Sequence, residues 1–392
     1  MENNPLFNFP PSFVLQNICN ITGSAFELGE NGNKDLARIA TLKWFQRYHV
    51  YEESRAKQWL ELGKFDIFAA LSFPNADPPH LETCLAFLLW AFSTDDLSDE
   101  GELQRRPVEV ENGHNPSRRI LYDCDAPQPD DPYAGMLWDI LRRIRLTATD
   151  GTYNRFAQAY LDWSGSQVQQ AANRNKDRIP PVEEFILMRR CTIGAALVEA
   201  MVEYSLDIDL PDYVFQDPTF IAMSQAISDI MTWPNDLCSF NKEQADGDYQ
   251  NLVCVLQVAH NLNLQDAVDM LTNMIRKRVQ NYLELKKELP SFGVGVNAEL
   301  RRYHTALEHF TQGCVVWYYS SPRYFRELDP LGKEKVVINL FAKIWTANAI
   351  RRVLSPSHSV DIGWLLLFLF LPLLYVKLRP YLQVEWSHSN TL

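Results

Sequence analysis

Apolar residues recur along this chain with the period of an α-helix, segment after segment, and that pattern restricts the fold more than any other feature. The periodic segments cover roughly 35–49, 52–71, 79–94, 132–148, 152–175, 181–206, 217–241, 250–258, 264–288, 294–319 and 332–353. No alternating apolar–polar run flanked by hairpin turns separates them, and no repeat of fixed period is present. The expectation is an all-α fold. At 392 residues the chain exceeds the common domain size, but large helical enzymes reach this length as one unit. With 46% hydrophobic and 12% aromatic residues it can bury a large core.

Two of these helical segments run into oxygen-rich clusters. In Asn235–Glu243, NDLCSFNKE, the side chains of Asn235, Ser239 and Glu243 are spaced i, i+4, i+8 and share one helix face. An amide oxygen, a hydroxyl and a carboxylate are hard donors that suit Mg²⁺ better than Zn²⁺. Upstream, Thr94–Glu100, TDDLSDE, places Asp95, Asp96 and Asp99 at the end of the apolar run Glu82–Phe92. Such close like charges repel unless a cation sits among them. Phe220, Met223, Ile227 and Ile230 mark an apolar face leading into Asn235. Two oxygen clusters at the ends of two apolar helices describe the rim of a greasy cavity. Because Mg²⁺ takes few protein ligands plus substrate phosphates, a diphosphate shared between the clusters through Mg²⁺ is the natural occupant.

The remaining features narrow the function classes. A net charge of −12 and an isoelectric point near 5.2 argue against nucleic acid as a partner. Seven cysteines lie scattered with no CxxC spacing, which points to reduced thiols and a cytoplasmic protein, not to a zinc site or a disulfide framework. The start, MENNPLFNFPPSF, has neither a basic nor an apolar signal region, and residues 1–30 read as an N-terminal leader. Asp99–Pro132 is charged and carries five prolines; it reads as a surface loop after the first cluster, either a lid or a tolerated insertion. Arg189-Arg190-Cys191-Thr192-Ile193-Gly194 lies in a helical segment opened by Pro180-Pro181, and Arg190 and Gly194 are i, i+4. A helix-interior glycine costs about 1 kcal/mol relative to alanine, so something approaches the backbone there or the helix breaks. Pro234 removes a helix hydrogen bond directly before Asn235 and leaves that residue's tilt open. Further on, Trp317–Phe325 ends a helix in an aromatic cluster containing Arg323 and Tyr324.

Together these residues resemble a class I terpene synthase of the microbial single-α-domain type, most like fungal sesquiterpene synthases. Asp95, Asp96 and Asp99 match the aspartate-rich DDxxD motif; Asn235, Asp236, Ser239 and Glu243 match NDxxSxxxE, with Lys242 in its usual place; Arg323-Tyr324 match the RY pair. A diphosphate-sensing arginine is expected upstream of the triad, in a pattern like RRxTxG, and Arg190 is favoured over Arg189 because it precedes Gly194 by four residues. The resemblance spans roughly residues 30 to 350 and makes 31–354 the catalytic α domain. It implies three Mg²⁺ ions between the clusters, and hydrogen bonds from Arg190, Lys242, Arg323 and Tyr324 to a diphosphate leaving group. It also implies a helix break that turns Ile193 and Gly194 toward the substrate. The substrate it implies is an isoprenyl diphosphate, farnesyl diphosphate first and geranyl diphosphate second, cyclised after ionisation. Aromatic faces stabilise the migrating cation, and Phe65, Phe68, Phe92, Phe185 and Trp317 are the candidates. A prenyl-chain elongating enzyme would carry a second aspartate-rich motif where this chain has Asn-Ser-Glu. A class II cyclase would need a DxDD acid, and a non-catalytic scaffold has no use for all four polar sites.

Beyond the family-like region, Ile362–Val376 is a run of 15 residues without a charge. As a helix it would span about 22 Å, short of the roughly 30 Å hydrocarbon core, with Pro372 inside it. Residues 355–392 are therefore read as a hydrophobic tail, and a membrane-surface anchor and a segment packed on the body or a partner both fit its length.

Overall fold

The computed structural model describes residues 7–99, 103–123, 125–326 and 328–342, all within one compact unit, Met1–Lys343. The first element is a strand, β1 (Ser12–Gln16), followed by α1 (Ile18–Thr22). Helices α2 (Lys34–Gln46), α3 (Glu53–Gly63), α4 (Phe65–Ser72) and α5 (Pro78–Asp99) come next. The single segment expected over 52–71 is two helices, because Lys64 adopts φ +49 and ψ 42 and turns the chain between them.

The long loop expected over 99–132 is corrected. It contains a 3₁₀ turn at Leu103–Arg105 and a helix, α6 (Pro107–Tyr122). Pro107 opens this helix, where its missing N–H costs nothing. Val110, His114, Ser117 and Leu121 fall at i, i+4, i+7, i+11 and are buried. That face packs against the later helix Asp150–Asn175, with His114 and Arg118 within hydrogen-bond distance of its Tyr160 and Ser164, respectively. Tertiary packing outweighs the interior Pro116, a residue that disfavours a helix by about 3 kcal/mol.

The bundle continues through α7 (Pro132–Thr147), α8 (Asp150–Asn175), α9 (Val182–Thr192), α10 (Ala195–Ser205) and the single turn α11 (Asp212–Phe215). It is completed by α12 (Pro218–Asp246), α13 (Leu252–His260), α14 (Leu264–Glu288), α15 (Val294–Ser320) and the short α16 (Pro322–Phe325). Asp217 caps α12 by accepting from the amides of Thr219 and Phe220, and the helix passes straight through Pro234. Helix α12 packs against α14 and α15, and α15 packs against α4. Gly313 makes that last approach possible: a Cβ there would lie 2.5 Å from the Leu71 carbonyl.

Among the described residues the fold is all-α in architecture, with one small exception. A second strand, β2 (Lys335–Asn339), pairs antiparallel with β1 in the register Val14–Val337. The helix expected over 332–353 is therefore corrected where the chain is described, and residues beyond 342 lie outside the description. The described residues of the stretch expected as a leader, and Asn31 just after it, pack on the rest of the unit. Phe7 stacks on Tyr249 at 4.5 Å, Phe9 meets Phe240 edge-on, and the Asn31 amide donates to the Phe73 and Ala76 carbonyls. Val336 and Ile338 put their side chains into the core, which gives the pairing its register. Among the described residues no helix is long and apolar enough to cross a membrane. The apolar tail Ile362–Val376 lies outside the described residues.

Candidate active site

One cavity collects the sequence motifs. Phe87, Ala91 and Asp95, with Leu88, Phe92 and Asp96 beside them, line it as two i, i+4, i+8 rows of α5. Met231, Asn235, Ser239 and Glu243 form the matching row on α12; Phe310, Cys314 and Tyr318 form one on α15; Trp163, Gln170 and Arg174 come from α8. On α5, α8 and α12 the lining changes from apolar to polar toward the helix C-terminus. The cavity is thus greasy at one end and oxygen-rich at the other, and the negative ends of helix dipoles favour cations at the polar end.

The α12 cluster fits a hard divalent cation. The Ser239 Oγ is buried and makes no hydrogen bond within the protein. Burial and the carboxylates of Asp248 and Asp236 push the Glu243 carboxyl up to about 7. Arg189 and the Asn251 amide pull the other way but are outweighed, so the cluster has room for the positive charge of a metal ion. Asn235 Oδ1 accepts from Arg189 at 2.9 Å and keeps a second lone pair. Among the described residues no group of three His, Cys, Asp or Glu side chains forms a metal cage. The donors are a mixed amide, hydroxyl and carboxylate set, as expected of a cation whose remaining ligands are water and phosphate.

The α5 cluster is built differently. Arg323 grips Asp96 with both Nη atoms, at 2.5 and 3.3 Å, and the Trp59 indole donates to the same carboxylate at 2.7 Å. Burial would raise the Asp96 carboxyl, but the Arg323 guanidinium and the nearby Lys242 hold it below its ordinary value. Asp95 accepts a hydrogen bond from Gln167 at 2.9 Å. The Asp99 side chain lies outside the described residues.

Residues 86–281 match the family described as terpene synthase family 2, C-terminal metal binding. The chain belongs to that terpene synthase family. Among relatives, a sesquiterpene synthase of Cyclocybe aegerita, Agr3, is 36% identical over 81% of this chain and 90% of its own. The Agr1 sesquiterpene synthase of the same organism is 28% identical over 82% and 92%. The α-muurolene synthase of Coprinopsis cinerea is 27% identical over 81% and 75%. Germacradien-4-ol synthase of Streptomyces citricolor shares the fold at a TM-score of 0.66 and 22% identity, over 75% of this chain and 96% of that one. The enzyme is thus a terpene cyclase, a carbon–oxygen lyase acting on a diphosphate, and its family's metal-binding region implies a divalent metal cofactor.

The synthase's arginine pair is the main correction to the sequence reading. Arg189, not Arg190, lines the cavity. Its Nε and Nη2 donate to Asp236 Oδ1 at 3.0 and 2.8 Å, and Nη1 donates to the Thr192 hydroxyl at 3.2 Å. Burial opposes its charge, but Asp236 and Glu243 outweigh burial and hold the proton more firmly than usual. Arg190 instead grips Asp229 at 2.7 and 2.8 Å, on the other flank of α12, where Arg278 shares the same carboxylate. The i, i+4 argument for Arg190 fails because Gly194 lies outside α9. Gly194 has φ +75 and starts α10, so the helix phase is lost between them. The break itself stands where expected, and Ile193 and Gly194 both line the cavity. The positive φ is what requires glycine there, since a Cβ would meet Trp163 and Leu197 only at ordinary contact distance.

Lys242, Arg323 and Tyr324 line the same cavity, and the Asn235 amide donates to the Tyr324 hydroxyl at 3.3 Å. Of the aromatic candidates, Phe68 and Phe92 line the wall. Phe65, Phe185 and Trp317 do not, and that expectation is corrected. Trp317 stacks flat on Phe68 at 4.2 Å and donates its indole N–H to the Gly63 carbonyl, while Phe65 packs behind Phe92 at 5.0 Å. Both are backing layers. Phe185 is fully buried in the core. The wall residues that sequence reasoning missed are Phe87, Trp163, Phe310 and Tyr318. Phe87 was legible as the residue two helical turns before Asp95; the other three belong to helices without a motif at that depth.

Proposed function

We propose that this terpene synthase ionises farnesyl diphosphate and cyclises the resulting allylic cation to a sesquiterpene, releasing diphosphate. The observation that carries the reading is one cavity whose apolar aromatic wall ends in two facing oxygen clusters and a set of cations. Asn235, Ser239 and Glu243 would hold Mg²⁺ on one side, and Asp95, with Asp96 and Asp99, on the other. Three Mg²⁺ ions are the expected complement. When bound they supply charge neutralisation to the departing diphosphate. Arg189, Lys242, Arg323 and Tyr324 bind and orient its oxygens, taking the role first assigned to Arg190 into account at Arg189. Donors fixed in place before reaction stabilise charge developing on the leaving group. Phe68, Phe87, Phe92, Trp163 and Phe310 keep water out and present ring faces to a cation, each worth about 2 kcal/mol when desolvated.

Incubation with farnesyl, geranyl or isopentenyl plus farnesyl diphosphate, with and without Mg²⁺, tests the reading by gas chromatography. A Mg²⁺-dependent fifteen-carbon hydrocarbon or alcohol from farnesyl diphosphate is expected. A longer diphosphate would make the protein an elongating enzyme, and no product under any condition would remove the proposal. The tail is expected to be dispensable for this chemistry. A chain ending near Ser355 keeps β2 and Phe341, whose backbone bonds Asn241 and Gln244 on α12. It should retain turnover, whereas the full chain should sediment with lipid vesicles if Ile362–Val376 anchors it.

A further inference from the structure

We propose that Asn251 is a positioning residue that fixes the Glu243 carboxylate for metal binding; the inference rests on the metal reading of the α12 cluster given above. Helix α12 ends at Gly247, whose φ of +74 reverses the chain. The turn brings Asn251 back against the helix that precedes it, fully buried. Its Nδ2 donates to Glu243 Oε2 at 2.8 Å and to the Asp236 main-chain oxygen at 2.7 Å. Its Oδ1 accepts from the Val253 amide at 2.9 Å and caps α13. Next to it, the Leu252 amide donates to Asp236 Oδ2 at 3.0 Å, while Asp236 Oδ1 holds Arg189. One turn therefore secures both the carboxylate and the arginine of the polar end.

The need for such a tether follows from the length of the side chain. Glu243 lies near the carboxylates of Asp236 and Asp248. A glutamate side chain has three rotatable bonds and, without a partner, several rotamers open to it. The buried Asn251 amide, donating to Oε2, holds one of them. Asn251 is not a cavity-lining residue, so its effect on the reaction passes through Glu243 and Asp236. The competing account is that Asn251 matters only as the cap of α13.

Asn251→Ser separates the two accounts. Serine caps a helix about as well as asparagine, is neutral, and is too short to reach Glu243. The probe is Mn²⁺ titrated in the presence of inorganic diphosphate, read by electron paramagnetic resonance on the full chain. Positioning predicts a loss of Mn²⁺ affinity of about 10–100-fold, the usual cost of removing an outer-shell partner, with the metal-free melting temperature almost unchanged. In a Glu243→Ala background the same serine should cost nothing further, because the group it would position is gone. Wild-type affinity in Asn251→Ser, or an equal loss with and without Glu243, would overturn the proposal. Absence of Mn²⁺–diphosphate binding in the wild-type protein would instead overturn the metal reading itself. If Asn251→Ser does not fold by circular dichroism, Asn251→Thr has the same cap and the same missing donor and carries the same test.

Discussion

The two oxygen clusters of this terpene synthase face one cavity but are prepared in opposite ways. Asn235 and Ser239 of the α12 cluster are buried, and the cluster is held from behind. Arg189 and Asn251 fix Asn235 and Glu243, and the Ser239 hydroxyl waits without a partner. The α5 cluster is already compensated, because Asp96 is gripped by Arg323 from the far end of the chain. Burial does not separate the two, since Asp96 is as buried as Asn235 and Ser239 while Glu243 is half-buried; the difference is the partner, a neutral amide on Glu243 and a guanidinium on Asp96. The charge partner of Asp96 sits on the short segment Pro322–Phe325 and is itself a diphosphate ligand in the proposed chemistry. The contrast is between a cradle held by hydrogen bonds and an ion pair, which in the proposed chemistry substrate and metal would reorganise.

The largest expected effect lies in the cradle. Asn235→Ala and Glu243→Ala should lower turnover by at least about 10²–10³-fold, with far-UV circular dichroism unchanged. Full activity in either variant would break the comparison. Asp96→Asn should cost less, because it weakens a pair with Arg323 and leaves the α12 donors in place; it should also alter the product ratio seen by gas chromatography. An effect larger than that of Glu243→Ala would reverse the assignment of cradle and switch.

The arginine pair sharpens the contrast on one helix. Arg189→Lys should lose about 100-fold in kcat/KM, since a point charge cannot bridge Asp236 and Asn235 as the planar fork does. Arg190→Lys should leave kcat/KM within a few-fold and lower the melting temperature instead, with Asp229 still paired to Arg278. Steady-state kinetics beside thermal melts of both variants read the difference.

The smallest effect concerns a buried acid with no place in the cavity. Burial pushes the Glu199 carboxyl, which accepts from the Ser224 hydroxyl, up to about 7. Its folded pKa lies above its unfolded value near 4.5, so its neutral form adds stability below pH 4.5 that is lost as pH rises through 7. Glu199→Gln keeps the acceptor and cannot ionise. Its melting temperature should match wild type at pH 5 and exceed it by roughly a few degrees at pH 8. Glu243 carries a similar upward shift but sits at the proposed metal site. Added Mg²⁺ with diphosphate should therefore raise the wild-type melting temperature at pH 8 without erasing the Glu199→Gln difference. Equal pH profiles for Glu199→Gln and wild type would show that Glu199 gains its charge without cost.

Much of this site could be read before any coordinate. NDLCSFNKE specified an i, i+4, i+8 row because a helix repeats every 3.6 residues, and the row appears as such on α12. The apolar run before Asp95 specified a greasy approach to a polar rim, and α5 supplies it. These are local consequences of one helix and need nothing from the rest of the chain. Helix α6 was hidden because its five-proline surroundings outvote a face of only five buried positions, a face meaningful only once α8 lies against it.

What the sequence could not determine was every choice made by a second element. Whether Arg189 or Arg190 enters the cavity depends on the rotation of α9 against α12, and the two differ by one step around a short helix. The pairing of Ser12–Gln16 with Lys335–Asn339 joins opposite ends of the chain, and five residues of alternating burial carry too little signal to declare it. The grip of Asn251 on Glu243 depends on a left-handed turn at Gly247. Periodicity along a helix is a property of the chain alone. Rotation, pairing and return are decided by free energies that exist only when distant parts of the chain meet.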